Sequence, residues 1–582
     1  MDFRVERTWR SSLLAPASLV AATILVYANS FDGQFIFDDM PNIVENEQIR
    51  VFPPRFATLT GHLERSLTNT TLAANWRFGQ NAVAGYHAVN LTIHILAGLL
   101  LFGLLRRTLR REPPDSTWHR SARGLAWAIA LLWLVHPLQT QSVTYIIQRA
   151  EALTGLFTLA MLNALLHGAE ASRRMGRFVG FAGATIACAL GMCSKEVMVT
   201  APILALVFDR IFLATSWRDL VRRRWLVHLS LLGCLLLTMR SVATLTTSAP
   251  ADEPLQAVGF HIVGVSPWEF LRSQPGVLLH YLRLVVRPVG QCLDYNWPVA
   301  HGFAAIVLPG SIIVGLLMAT AVALWRWPKL GFCGAAFFII LAPSSSFLPL
   351  ADLAFEHRMY LALAPILTLL VLGGHALSLR IGARRNVDLA AVHRWELGAT
   401  LLLATSFGVM TVARNFDYHD VAGMWTLVLQ NSPHNIRARN NLGQACLLNG
   451  QYDAAFREFA AVLRMRDYPD SLAGMADVLE KFGNTSQAVE HYNAALRGNP
   501  SRAAHYEFRI GSILAGAEKW QDALPHFREA NRRRPQQPIY MLSLALVLSE
   551  LGQAAEAERI FAEIVALDPD FAGMQIPRRG GP

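Results

Sequence analysis

At 582 residues the chain is too long for one ordinary domain, and 53% hydrophobic against 16% charged residues excludes a soluble protein of usual make-up, which carries about 25% charge. The net charge of +10 does not point to nucleic acid. Only four of the 52 basic residues are Lys (Lys195, Lys329, Lys481, Lys519), and much of the Arg lies in short clusters beside apolar runs. That is how loops held by the positive-inside rule look.

In chain order, apolar stretches of the length that crosses a bilayer, about 17–25 residues, occur at 12–29, 88–105, 122–139, 146–167, 177–193, 197–214, 225–243, 303–325, 330–349, 358–379 and 395–413. The first has no convincing small-residue cleavage site and reads as a signal anchor. Residues 276–290 are apolar but short and carry Arg283 and Arg287, so they read as an interfacial helix in a long loop, 244–302. Arg4, Arg7 and Arg10, then the clusters at 106–123, 173–177, 218–224, 326–329 and 380–394, all fall on one side of an eleven-span chain with its N-terminus inside. The other side receives the loop 30–87, the turns near 140–145, 194–196 and 350–357, the loop 244–302 and everything after 413. The six Cys (Cys188, Cys193, Cys234, Cys292, Cys333, Cys446) have no metal-ligand spacing and read as free thiols.

The character changes near 416. Ala455, Ala488, Ala523 and Ala557 recur every 33–35 residues, each followed four positions later by Phe459, Tyr492, Phe527 or Phe561. Pro500, Pro535 and Pro569 close the units, and Gly450, Gly483, Glu518 and Gly552 open the turn inside each. This is the period and grammar of tetratricopeptide repeats, helix pairs that bury their apolar faces only by stacking. The expected organisation is therefore all-α: a membrane bundle over 1–415, a connector at 416–435 containing a half-repeat, four repeats over 436–569, and an unstructured tail at 570–582.

Polar residues at the outward ends of spans need another explanation. FIFDDMPNIVEN puts Asp38 and Asp39 just beyond the first span; adjacent carboxylates repel, and either a raised pKa or a shared divalent cation would follow. An Asx-rich turn explains them equally. His87, Asn90 and His94 share one face of the second span, where depth favours a bundle interior or a wet cavity. His136, Gln139, Gln141, Arg149 and Glu151 surround the next turn; Arg149 and Glu151 either pair structurally or line a groove. Lys195 and Glu196 sit in a tight turn, and Glu356, His357 and Arg358 open the tenth span. With Arg65 these clusters form one outward surface with carboxylates for base chemistry and cations for an anionic group such as phosphate.

At these residues the chain resembles the GT-C glycosyltransferases that use polyprenyl-phosphate sugars, and most of all the branch that carries tetratricopeptide repeats, whose animal members are protein O-mannosyltransferases. The motifs run in order over nearly the whole length: FIFDDMPNIVEN, Tyr86-His87…Asn90-Leu91…His94, His136-Pro137…Arg149-Ala150-Glu151, Ser194-Lys195-Glu196, Pro288…Asp294-Tyr295 and Glu356-His357-Arg358-Met359-Tyr360-Leu361. The resemblance implies transfer of a monosaccharide from a polyprenyl-phosphate donor to Ser or Thr hydroxyls of an exported polypeptide, which the repeats would bind. It implies Asp38 as the base with Asp39 beside it, and Arg65, Lys195 and Arg358 near the phosphate. Where the family usually has a second His and an acid, this chain has Gln139 and Gln141, which puts the sugar in question. The lean loops and short array point to a bacterial relative in the cytoplasmic membrane. A non-catalytic repeat scaffold and a ligase acting on lipid-linked oligosaccharide are the competing expectations.

Overall fold

A computed structural model describes residues 2–53, 65–238 and 265–567, with side chains from residue 13 onward. The expected tail and residues 244–264 of the long loop lie outside the described residues. The chain divides into two compact units, and the boundary falls between Met424 and Trp425.

The first unit is a helical bundle. Its elements are α1 (Asp2–Tyr27), α2 (Ser66–Gly79), α3 (Val83–Leu109), α4 (Thr117–Leu134), α5 (Arg149–Glu170), α6 (Arg174–Met192), α7 (Ala201–Phe208) and α8 (Trp217–Gly233). After them come α9 (Pro267–Val286), α10 (Phe303–Arg326), α11 (Pro328–Leu341), α12 (Met359–Arg384) and α13 (Leu389–Phe416). Apolar residues such as Leu401, Leu402 and Val409 of α13 stay exposed, and in α10 only 6% of the apolar window is buried. A helix that is apolar all round and uncovered by protein is stable only in lipid. Small residues draw helices together inside the bundle: a Cβ on Gly180 of α6 would fall 2.4 Å from the Cα of Gly168 on α5, so this crossing needs glycine on both sides.

Among the described residues seven helices are long and apolar enough to cross a bilayer, and α4 with the turn 137–143 makes an eighth, bent by 54°. The bend has a local cause. Pro137 lacks the N–H that would continue α4, and His136 adopts an extended conformation, its Nδ1 accepting from the Leu138 amide at 3.2 Å. The expected spans at 197–214, 225–243 and 330–349 take broken or shorter forms. The first passes from a 3-10 turn at Glu196–Thr200 through α7 into a π turn at Asp209–Leu213, the second passes from α8 into a 3-10 turn at Cys234–Thr238 with residues 239–243 outside the described residues, and the third is α11, stopped near Pro343. The interfacial helix is longer than expected: α9 starts at a Ser266–Glu269 capping box and buries Phe270, Val277, Tyr281 and Leu284 while exposing Trp268 and Leu271.

The second unit continues from α14 (Val421–Asn431) into helix pairs: α15 (Ile436–Leu448) with α16 (Tyr452–Met465), α17 (Pro469–Lys481) with α18 (Thr485–Gly498), α19 (Ala503–Gly516) with α20 (Trp520–Arg533), and α21 (Pro538–Glu550) with α22 (Ala554–Leu567). Ala455, Ala488, Ala523 and Ala557 are buried where paired helices touch, with Phe459, Tyr492 and Phe527 beside them. All four turn residues have left-handed backbones, Gly450 at φ 72°, Gly483 and Gly552 at 77°, and Glu518 at 58°. Only the third bears a side chain there, which costs about 1 kcal/mol. Glu518→Gly should therefore stabilise the repeat unit by about 0.5–1 kcal/mol, read as a later calorimetric transition of that unit in the full chain.

Candidate active site

The first loop reverses through Phe37, whose φ of 46° puts a bulky residue in the left-handed region and costs about 1–2 kcal/mol. Gly33, just before, packs so closely on His87 that a Cβ would lie 3.0 Å from its Nε2. Strain of this kind persists only where surrounding contacts over-determine it, and Asp39 supplies them. Its carboxylate is fully buried; Oδ2 accepts the Ile36 amide at 3.0 Å and Oδ1 the Ile147 amide at 2.7 Å. Burial pushes this carboxyl up to about 8, against the downward pull of those two amides. Asp38 is different. It is half-buried, and its amide donates to the Tyr145 hydroxyl at 2.9 Å. That hydroxyl also hydrogen-bonds the Asp38 side chain; burial, then the two carboxylates, push the Tyr145 phenol upward.

The turn that receives Asp39 is held from the other side by the second span. Asn90 donates to the carbonyls of Val143 and Ile146 at 3.1 and 3.2 Å, and its oxygen accepts from Arg149 Nε at 2.6 Å. Arg149 is fully buried and also donates to Tyr86 O at 3.0 Å and Thr71 Oγ1 at 3.3 Å, with its guanidinium 5.7 Å from the Tyr86 ring centre. So Arg149 does not pair with Glu151. Glu151 forms an ion pair instead with Lys195, Oε2 to Nζ 2.7 Å, and Lys195 donates to Gln148 Oε1 at 3.4 Å. Arg65 pairs with Glu196 at 3.0 Å, both about half exposed. Asp38 and Lys195 therefore hang from one short stretch, through Tyr145 and Gln148, with the Arg65–Glu196 pair adjoining Lys195 in sequence.

The remaining residues of the expected surface hold loops. Glu356 is buried and accepts from the Cys292 amide, Tyr295 hydroxyl and Gln291 side chain at 2.8, 2.6 and 2.8 Å. Burial, with the Glu356 charge next, drives the Tyr295 phenol and the Cys292 thiol upward. Gln141 donates to Leu293 O at 3.2 Å and accepts the His357 amide at 2.7 Å, and Gln139 donates to Tyr360 O at 3.3 Å. His94 bridges Tyr360 Oη and Leu134 O at 3.0 Å each, and His136 meets Val285 O at 3.0 Å. Arg358 is the third cation expected near the phosphate. It is 7% exposed, and its Nη1 and Nη2 donate to the carbonyls of Ser344, Leu353 and Asp352 at 3.2, 2.8 and 2.7 Å. A cation so engaged is a clasp for the 344–353 loop.

With this geometry the comparisons have a clear object. Tetratricopeptide repeat models match residues 422–471 and 514–575. Mouse TMTC3, a protein O-mannosyl-transferase, is 22% identical over 96% of this chain and 61% of its own length. Human TMTC4, likewise named, is 29% identical over 36% of this chain and 31% of its length, and human TMTC1 is 34% identical over 26% and 18%. The chain is a homologue of the TMTC protein O-mannosyl-transferases. It spans about three fifths or less of the length of these curated relatives. Among solved structures, yeast Tom70 aligns at 12% identity with a TM-score of 0.24, too low to carry an argument.

In this chain each Asp39 oxygen accepts a backbone amide, so Asp39 anchors the loop while Asp38 is turned towards Tyr145. No group of three or more His, Cys, Asp or Glu side chains that could hold a metal ion converges among the described residues. Several supporting residues were not singled out from the sequence. Tyr145, Gln148 and Thr71 carry no motif of their own. Arg414, 7% exposed and paired with Asp417 at 2.6 Å, had a signal: it is an Arg at the end of the last span where the charge pattern calls for none.

The two aspartates should separate by stability. Asn at 39 offers one acceptor to two amides, so Asp39→Asn should cost about 1–3 kcal/mol and lower the melting temperature of the detergent-purified chain. Asp38→Asn should leave that temperature unchanged.

Proposed function

We propose that the chain is a membrane glycosyltransferase that moves a mannose from a polyprenyl-phosphate donor to Ser or Thr hydroxyls of an exported polypeptide, with the repeats binding that polypeptide. The observation that carries this reading is the half-buried Asp38, carried on strained backbone and hydrogen-bonded to Tyr145, on the same stretch that anchors Lys195. The names of the homologues support the same reaction class. Asp38 takes the proton of the acceptor hydroxyl as its oxygen attacks the anomeric carbon. The bond from that carbon to the phosphate oxygen breaks, and the polyprenyl phosphate leaves with the electron pair. One displacement inverts the anomeric centre.

The developing phosphate charge needs donors at one end of the site. Lys195, 16% exposed at its side chain and paired with Glu151, and Arg65, 47% exposed and paired with Glu196, serve here. Glu151 and Glu196 hold the two cations in position. Gln139 and Gln141 are fully buried and donate to Tyr360 O and Leu293 O, so the departure from the family pattern lies among loop contacts. The Arg distribution supports a cytoplasmic N-terminus with the site and the repeats on the outer side, and the lean loops support a bacterial cytoplasmic membrane.

Membranes containing the full chain, given polyprenyl-phosphate mannose and a Ser/Thr-bearing polypeptide, should yield product heavier by one hexose. Asp38→Asn should lower that rate by about 10²–10⁴, and Lys195→Met should lower kcat/KM for the donor by about tenfold or more. Undiminished transfer by purified Asp38→Asn overturns the assignment. A block of several sugars in the product would mean the ligase reading, and no transfer with intact repeat function the scaffold.

A further inference from the structure

A second polar cluster lies far along the bundle from Asp38. His375 sits sixteen residues into α12, about 24 Å from its start at 1.5 Å per residue. It is 2% exposed, its Nδ1 is 2.7 Å from Glu396 Oε1 of α13, and Ser378 hydrogen-bonds the same carboxylate. Trp118 meets the imidazole edge-on at 5.2 Å, His393 stacks on it at 6.2 Å, and Ser121 of α4 is 3.3 Å from His393 Nε2. The carboxylate can only accept, so Nδ1 carries a proton. Nε2 has no hydrogen-bond partner among the described residues, and a polar atom at that depth ordinarily has one.

His375 lines a groove of about 680 Å3 between α4, α12 and α13, with Val285 and Val286 of α9 also in its lining. Its far end holds Arg120, Ser121, His375, His393 and Glu396, and its body is walled by Leu132, Leu367, Leu370, Val371, Leu403 and Phe407. All three helices belong to candidate spans, so what solvates the body is hydrocarbon. The polar end combines one guanidinium with an acid and an imidazole. Arg120 is only loosely held, 3.8 Å from an exposed Asp115, and Glu396 keeps 23% of its side chain exposed.

We propose that this groove binds one membrane phospholipid with an aminoalkyl phosphate headgroup, at the opposite end of the spans from the Asp38 loop. The phosphate pairs with Arg120, the ammonium donates to Glu396, whose carboxylate His375 holds in place, and an acyl chain fills the apolar body. A headgroup without an N–H donor leaves the acid unanswered, so charge alone does not satisfy the site. The site is independent of the transfer reaction and stands whatever that reaction proves to be.

The full chain, purified in mild detergent and given dioleoyl phosphatidylethanolamine, phosphatidylcholine or phosphatidylglycerol at equal concentration, should retain one phosphatidylethanolamine by native mass spectrometry. Retention should exceed that of the other two by at least tenfold, and the melting temperature should rise only with that lipid. Glu396→Gln and His375→Phe should each remove the preference. Leu367→Trp, which fills the body, should lower retention of all three lipids; if it fails to fold, Glu396→Gln and Arg120→Ala carry the test. Equal retention of the three lipids overturns the proposal, as does a preference for phosphatidylglycerol or a Glu396→Gln variant that keeps the preference.

Discussion

Burying an arginine at the start of a membrane helix is the constraint around which the outer end of this bundle is arranged. Arg149 is fully buried, and an uncompensated charge there would cost several kcal/mol. Its donors are met by Asn90, Tyr86 O and Thr71, residues of α2 and α3, and the Tyr86 ring supplies a cation–π face. Satisfying the guanidinium fixes three helices against one another. It also fixes Asn90, whose amide nitrogen then secures the carbonyls of Val143 and Ile146. The amide of Ile147 is left facing Asp39, which draws the first loop down and holds Phe37 in its strained conformation. Asp38, next to it, stays half-buried with its side chain hydrogen-bonded by Tyr145.

The same logic explains which parts of the molecule are legible in the sequence. Repeats announce themselves because helix-pair packing demands a small residue, an aromatic and a left-handed turn at fixed intervals, and side-chain identity records each demand. Glu518 shows that the pattern survives an ill-suited residue, since neighbouring pairs dictate the turn. Spans are legible as hydropathy, but their breaks are not: Pro137 marks one, whereas the π turn at Asp209–Leu213 follows an unbroken apolar run.

At the candidate site, composition shows which residues are polar and not what they touch. Asp39, Gln141, Glu356 and Arg358 all bond backbone groups. Backbone amides and carbonyls occur at every position and leave no trace in residue type, so a loop clasp and a phosphate ligand look alike in a sequence. Exposure separates them. Of the cations expected at the phosphate, Arg358 donates to three carbonyls, while Lys195 and Arg65 pair with the carboxylates of Glu151 and Glu196.

The exit from the membrane unit belongs to the same construction. Asn415, at the end of α13, donates to Val26 O at 3.1 Å and Asn29 Oδ1 at 3.0 Å, and accepts from Thr144 Oγ1 at 2.7 Å. His419 Nε2 meets Asn29 O at 2.7 Å, and the Gln34 amide donates to Tyr418 O at 2.9 Å. The stretch 415–419 is therefore bonded to the loop that leads to Asp38 and to the turn that receives Asp39. A chain that merely tethered its repeats to the membrane would need only a span and a flexible linker there, since polymer length alone sets the reach of such a tether. Here residues 415–419, at the end of α13, are fixed by short hydrogen bonds to the frame that carries the proposed base.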